Sequence, residues 1–405
     1  MKPSFLIVGA NFINKGAEAM LKTVQFKLLE KYPEANIYAI CHQEEEEIAH
    51  KNGILPVFIE KNILTKIIGK LKSVLRKLSG SSPIPYADYS PMDKIHRIPN
   101  FKMAIDISGF AYGDKRGYQQ PLETVKVMEF CKQQGAKYIF MPQAWGAFKN
   151  QEVAANCKKM ISIADDYFTR DDVSRKYVAD LLEKEISEVP LLPDIAFHYP
   201  IPEIDGYSIL DQNGYSNPKS QPLLGISPNM RIYERMQGKG ADNKYVQLFV
   251  NLIHTLKQEY HIVLIPNEIR PPSDNIPDDA FLCATIYNLL NDKQNVTLIK
   301  GYRSAAEIKS VIREMEIVIA SRFHSLIFAL SLGIPCMAIS WSHKYKELFK
   351  LFHLEKYVLE DEALDEQFVI STFREIQASL PEIKKNIETT LPQIKATNIH
   401  VFNLL

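Results

Sequence analysis

The stretch Glu316 to Ser340, EIVIASRFHSLIFALSLGIPCMAIS, decides the fold. An apolar run, Ile317 to Ala320, meets the polar turn Ser321-Arg322. Apolar residues at helical spacing then lead to a stop at Gly333 and Pro335, and a second apolar run, Cys336 to Ser340, follows. Strand, helix, strand is the repeating unit of a parallel sheet covered by helices. The same rhythm extends toward both ends. Phe5 to Gly9, Asn36 to Cys41, Met103 to Ile107, Tyr138 to Met141 and Asp166 to Thr169 read as strands of one sheet. Leu223 to Ile226, His261 to Ile265, Val296 to Ile299, Ile317 to Ala320 and Cys336 to Ser340 read as strands of another. Between the series, Phe197 to Pro222 holds Pro200, Pro202, Gly206, Gly214, Pro218 and Pro222 with no sustained period. The expected fold class is α/β, with two Rossmann-like domains whose parallel sheets face a central cleft. The first spans residues 1–198, a linker residues 199–222, the second residues 223–364, and a helical tail residues 365–405.

Composition agrees with two globular domains, since 405 residues at roughly 100–200 per domain favour that number. Lys plus Arg and Asp plus Glu both number 48, so no net charge draws the chain onto nucleic acid. A 46% hydrophobic and 24% charged share excludes a disordered or collagen-like chain. Cys41, Cys131, Cys157, Cys283 and Cys336 are widely spaced, which argues against a disulfide framework or a structural zinc. The N-terminus, MKPSFLIVGANFINKG, has too short an apolar stretch for a signal peptide, and Arg322 and His324 interrupt the most apolar later region. The expected setting is cytoplasmic, with no transmembrane helix, no metal and no cofactor. One segment departs from the α/β rhythm. From Lys61 to Leu78, Ile63, Leu64, Ile67, Ile68, Leu71, Val74, Leu75 and Leu78 recur at helical spacing, among Lys61, Lys66, Lys70, Lys72, Arg76 and Lys77 and no acid. It reads either as a helix touching an anionic membrane through Lys66, Lys70, Arg76 and Lys77, or as a surface helix docked on the protein's own core.

The polar residues cluster at strand ends. Ser321 stands where an N-cap belongs, which puts Arg322 and His324 in a first turn whose free N–H groups favour an anion. The alternative is that Arg322 pairs with a local carboxylate. Past the next strand, Trp341, Ser342, His343, Lys344 and Tyr345 open on the same rim, and TRDDVS puts Arg170 at another strand end. The loop GANFINKGAEAML offers Asn11, Asn14, Gly16 and Glu18 but is neither GxGxxG nor a P-loop. Glu18 either interacts with the helix dipole alone or binds and deprotonates a sugar hydroxyl. SGFAYGD with Asp114 and PQAWGAF with Gln143 carry polar and small residues suited to a carbohydrate, or are simple turns. Asn229, just past the Leu223 to Ile226 strand, joins the candidate substrate-binding positions.

Taken together and in their order along the chain, N-x-G-x-E-A, MPQ-x-x-G-x-F, TRDD-x-S, SRFH and GIPCMAISWSHK resemble the polysaccharide pyruvyl transferase family. The set runs from about residue 8 to residue 349. The resemblance implies a GT-B-like architecture and transfer of an enolpyruvyl-derived group from phosphoenolpyruvate to a sugar, such as a galactose on a lipid-linked precursor, as a cyclic ketal. It implies that Arg322 and His324 occupy the family's R-x-H positions, binding the donor and serving acid–base catalysis, with Lys344 and Arg170 as further donor contacts. This chain departs from the family at Ala17, where an aspartate is usual, and at Asn267-Glu268, where a histidine is usual. Two other readings stay open: a GT-B glycosyltransferase using a nucleotide sugar, and a non-catalytic carbohydrate-binding protein.

Overall fold

The computed structural model describes residues 2–58, 100–216, 220–271, 276–360 and 364–405, so the basic amphipathic stretch expected over 61–78 lies outside the described residues. Two six-stranded sheets make up the frame. The first contains β1 (Ser4–Val8), β2 (Asn36–Cys41), β3 (Leu55–Phe58), β4 (Met103–Asp106), β5 (Lys137–Gln143) and β6 (Asp166–Thr169), in the order β3-β2-β1-β4-β5-β6. The second contains β7 (Leu223–Ser227), β8 (His261–Leu264), β9 (Val296–Leu298), β10 (Ile317–Ala320), β11 (Cys336–Ser340) and β12 (Val358–Glu360), in the order β12-β11-β10-β7-β8-β9. Neighbouring strands are parallel throughout. Every residue of β1, β4, β7, β10 and β11 is buried. Helices cover both faces of such strands, which therefore show unbroken apolar runs instead of alternation.

Each sheet winds outward from a central strand, returns, and winds the other way. At the reversal, β1 beside β4 and β7 beside β10, the strand-end loops leave to opposite faces and open a crevice. Gly9 sits at the first reversal with φ +80°, where an added Cβ would lie 2.6 Å from Ser108 Cα, so only glycine lets these two loops touch. At the second, Ser321 N–H donates to the Ser227 carbonyl (2.9 Å) and Asn229 Nδ2 donates to the Ser321 carbonyl (2.8 Å).

The sheets are joined at their carboxyl ends. Lys15 N–H donates to the Asn267 carbonyl (3.0 Å) and Ile269 N–H to the Ile13 carbonyl (2.9 Å), which makes an antiparallel bridge between Asn14 and Glu268. Close by, buried Glu18 of the helix Lys15–Lys31 accepts from Ala305 N–H (3.0 Å), the first residue of the helix Ala305–Arg313, and from Lys15 Nζ (3.1 Å). Burial raises the Glu18 pKa and lowers that of Lys15, and their pairing opposes both shifts. Lys15 also lies 4.1 Å from the centre of the Tyr302 ring. The apolar core runs through this joint: Met20, Val24 and Leu28 belong to one cluster with Ile308 and Phe328. The opposite face of the first sheet has its own core around Tyr112, Tyr138 and Trp145.

The expected helical tail is the pair Glu366–Ala378 and Leu380–Asn403. The last helix returns to the first domain, where Asn398 Nδ2 donates to the Asp194 carbonyl (3.4 Å) and Phe402 meets the His198 ring edge-on at 4.8 Å. The structure differs from the sequence reading in three places. β3 and β12, both edge strands, were not expected; β3 contains Pro56, which only an edge tolerates, and β12 has three residues. The span expected as linker contains the helix Gly206–Gln212, whose Gly206 lies against the Ser310 carbonyl of the second domain. No helix among the described residues is long and apolar enough to cross a membrane.

Glu18→Ala should lower unfolding stability by about 3–5 kcal/mol, because it strands the buried Lys15 charge and leaves Ala305 N–H unpaired. Glu18→Gln, which keeps an acceptor for Ala305, should lose less. Denaturant titration of both variants checks this, and equal losses would show that the amide acceptor contributes nothing.

Candidate active site

β10 ends at Ala320 and the helix Phe323–Ser331 begins two residues after Ser321, so Arg322, not Ser321, is the N-cap. This corrects the expected cap. Ser321 is unavailable because its Oγ accepts from Tyr245 OH (2.6 Å) and its carbonyl from Tyr345 OH (2.7 Å) and from Asn229. Arg322 provides no side-chain cap to the first N–H groups of this helix. The Arg322 side chain is buried, with Nη2 on Asp279 Oδ1 (2.5 Å) and Glu268 Oε2 (2.8 Å). Pairing with local carboxylates, one of its two sequence readings, is therefore present, while Nε is buried and has no hydrogen-bond partner among the described residues. Burial opposes ionisation of Glu268, but Arg322, with Arg231 and Arg270, outweighs it and holds this carboxyl below its ordinary range.

His324 lies in the first turn of that helix. Its Nε2 is 3.8 Å from Asp194 Oδ2, beyond hydrogen-bond reach, and is buried with no hydrogen-bond partner among the described residues. Burial pulls its pKa down to about 4; Asp194 opposes this, while Arg170, Lys344 and Arg322 reinforce it. The imidazole is therefore neutral at pH 7 in this state. Gly16 makes room for it: a Cβ there would fall 1.9 Å from His324 Nδ1. Arg170 follows β6 and gives Nη1 to Asp194 Oδ2 at 2.6 Å, with both side chains 3% exposed, while its guanidinium lies 4.4 Å from the Phe323 ring centre. Asp194 thus joins two expected site residues, although the sequence reading passed over it. Its only signal is a position in LLPDIAF, just before the presumed linker.

Lys344 opens the helix Lys344–Lys350 after β11. Four aromatic rings surround its Nζ, Trp341 at 4.8 Å, Phe323 at 5.2 Å, Tyr345 at 5.4 Å and Phe110 at 5.5 Å. Among the described residues no carboxylate pairs with it. Burial, and then Arg170, Arg116, Arg322 and Lys115, pull its pKa far below that of an ordinary lysine. His343 Nε2 lies 3.9 Å from Asp171 Oδ1, and Asp171 caps the helix Asp172–Leu182 through Ser174 N–H (2.7 Å). A narrow crevice runs between the domains, lined by Arg170, Asp194, Phe323, Lys344 and Glu347 among others. The mouth is clasped by Lys350 on Asp172 (2.6 Å) and by Asp172 N–H on Glu347 (2.9 Å).

The other expected site residues have internal partners. Both Glu18 oxygens are engaged at the domain joint. Asn11 Oδ1 accepts from Asn14 N–H (2.8 Å), Asp114 accepts from Lys149 and Asn150 N–H (2.7 and 3.0 Å), and Gln143 Nε2 donates to Asp106 (3.0 Å). Asn229 caps a short helix through Arg231 N–H (2.9 Å). Among the described residues no group of three His, Cys, Asp or Glu is placed to hold a metal.

Two doubly wound sheets meeting at their carboxyl ends, with a returning C-terminal helix, define an α/β enzyme frame of the GT-B type. Similar solved structures include the UDP-GlcNAc 2-epimerase from Neisseria meningitidis bound to UDP-GlcNAc (12% identity, 95% of this chain and 94% of that one, TM-score 0.52). The spinosyn rhamnosyltransferase is also similar (10% identity, 100% of both chains, TM-score 0.55), as is the UDP-GlcNAc 2-epimerase from Methanocaldococcus jannaschii (11% identity, 92% of both chains, TM-score 0.53). At such identities the likeness is one of fold. No curated protein matches the sequence. The family model for polysaccharide pyruvyl transferase matches residues 14–343, and the chain belongs to that family.

Gly16→Ala tests the close approach to His324. A helical glycine ordinarily accepts alanine with a gain of up to ~1 kcal/mol. Here the methyl should displace the imidazole, leaving helix content by circular dichroism unchanged while turnover falls about 10²-fold or more, the range of a lost acid–base group.

Proposed function

We propose that the protein transfers the enolpyruvyl-derived group of phosphoenolpyruvate to a saccharide, closes a cyclic ketal across two hydroxyls, and releases phosphate. One arrangement carries this reading: Lys344 and Arg170 line an interdomain crevice together with Asp194, and the His324 imidazole stands 3.8 Å from that same Asp194, in the first turn of a helix whose N-cap residue makes no side-chain cap. The donor brings a carboxylate and a phosphate into a partly dry cleft, so it needs more than one cation and several N–H donors. Lys344, surrounded by rings and joined to no carboxylate among the described residues, is the first choice for the phosphate. Arg170 and the Nε edge of Arg322 supply further donors. The family match favours this reading over nucleotide-sugar transfer.

In the proposed reaction His324 delivers a proton to C3 of the donor, which becomes a methyl, and C2 turns electrophilic. One sugar hydroxyl adds to C2 and the C2–O bond to phosphate breaks. The second hydroxyl then closes the ring. Of the two hydroxyl protons, one replaces that delivered to C3 and the other leaves on phosphate. A histidine with a pKa of about 4 is a poor proton store at pH 7, but a multiply charged anion beside it raises that value. His324 is then an acid in the donor complex alone. The acceptor is a hexose such as galactose on a lipid-linked precursor. Lys66, Lys70, Arg76 and Lys77 would supply contact with the inner face of the membrane.

Phosphate release from phosphoenolpyruvate, measured across α- and β-galactosides and mannosides, tests the reaction. His324→Gln should reduce kcat by 10²–10⁴, and a loss under tenfold would remove His324 as the acid. The proton balance has a definite sign: donor binding raises the His324 pKa, so the wild type should take up more protons than His324→Gln at the same pH. Calorimetry in buffers of different ionisation enthalpy reads this difference.

A further inference from the structure

Closing a ketal requires two acceptor hydroxyls to lose their protons, the first as its oxygen attacks C2 of the donor, so a base must stand beside the donor. Several carboxylates near the cleft already accept hydrogen bonds. Glu18 is engaged at the domain joint, Asp194 accepts from Arg170 Nη1 and Ala196 N–H, Glu268 from Arg322, and Glu347 from Asp172 N–H. His343 differs from all of these. Its Nε2 is buried with no hydrogen-bond partner among the described residues and lies 3.9 Å from Asp171 Oδ1, and Asp171 Oδ2 is buried without one as well. Asp171 lines the crevice together with Lys344, the residue that follows His343. The Phe110 ring adjoins both, perpendicular to the His343 imidazole at 6.3 Å between centres and 5.5 Å from Lys344 Nζ.

We propose, resting on the reading of phosphoenolpyruvate as donor, that His343 is the general base of the reaction: Nε2 takes the proton of the hydroxyl that attacks C2, and Asp171 stabilises the imidazolium so formed. With the donor phosphate on Lys344, C2 is one oxygen away from it, and the attacking hydroxyl must arrive next to Lys344, where His343 stands. The O–H bond breaks toward Nε2 while the oxygen bonds to C2. His324 has by then given its proton to C3, and the proton of the second hydroxyl leaves on phosphate. Half-buried His343 returns its proton to solvent, which balances the proton that His324 takes up with the next donor. Burial lowers the His343 pKa; Asp171 opposes this, and Lys115, Lys344 and Arg170 reinforce it, so the ring is neutral at pH 7 and able to accept.

The pH dependence of kcat for phosphate release, with the galactoside and mannoside acceptors, is the test. A base works deprotonated and an acid protonated, so the wild type should show one limb rising with pH, from His343, and one falling, from His324. His343→Gln should lower kcat by 10²–10⁴ and lose the rising limb. Its affinity for phosphoenolpyruvate, read by calorimetry, should stay unchanged, because no cation is removed. Asp171→Asn keeps an acceptor for Ser174 N–H but removes the charge, and should move the rising limb to lower pH. A His343→Gln turnover within about tenfold of wild type, or a rising limb that survives in it, overturns the proposal. A loss in Asp171→Asn larger than that in His343→Gln also overturns it, by making the carboxylate the base. Failure of the wild type to bind phosphoenolpyruvate removes the donor reading and this base with it, whereas donor binding with an unimpaired His343→Gln removes the base alone.

Discussion

The bridge between Asn14 and Glu268 is the constraint on which the cleft depends. It fixes two loops at once. On one side, Gly16 follows closely and gives the His324 ring its space; on the other, Glu268 is, with Asp279, one of the two carboxylates that hold the Arg322 guanidinium. Asn267, whose carbonyl accepts Lys15 N–H, also donates through Nδ2 to Ser325 Oγ (3.0 Å) in the helix that bears His324. The pair Asn267-Glu268 therefore belongs to the scaffold that holds Arg322 and the helix bearing His324. A small shift between the sheets would move the imidazole and the guanidinium together.

The cations of the cleft are held by two different means. Arg322 and Arg170 are buried against carboxylates, because a desolvated guanidinium without a partner is strongly destabilising. These pairs set position, and much of their charge is already balanced. Lys344 is held by the faces of Trp341, Phe323, Tyr345 and Phe110, which attract a cation through the ring quadrupole without neutralising it. An anion entering beside it would favour its protonated form, and among the described residues no carboxylate already balances it. Burial depresses its proton affinity, and its positive neighbours Arg170, Arg116, Arg322 and Lys115 add to the effect.

Much of the frame was legible in the sequence, because parallel strands buried on both faces must be continuously apolar. Ile317–Ala320 and Cys336–Ser340 could be delimited from that alone. The edge strands Leu55–Phe58 and Val358–Glu360 lack that mark, being short and, in one case, interrupted by proline. At the site, spacing pointed to Arg322, His324, Lys344 and Arg170, since each follows a strand end. Asp194 was illegible because its importance comes from tertiary contact: it follows no strand, and it meets Arg170 across 24 residues and His324 from the other domain. Glu18 was found as a polar residue in a loop-helix motif, but its engagement with Ala305, 287 positions away, has no sequence signature.

The apolar cluster shared by the helix Lys15–Lys31 and the second sheet's helices bears on how this enzyme accommodates its substrates. Two halves separated by a wet, polar boundary swing freely, whereas halves fused through oil resist rotation. Admission to the crevice then falls to its lip, where Lys350 and Glu347 fasten onto the start of the helix Asp172–Leu182. Fusion through that shared interior also ties the melting of one half to the other, so the molecule should come apart as a single cooperative unit despite its two sheets.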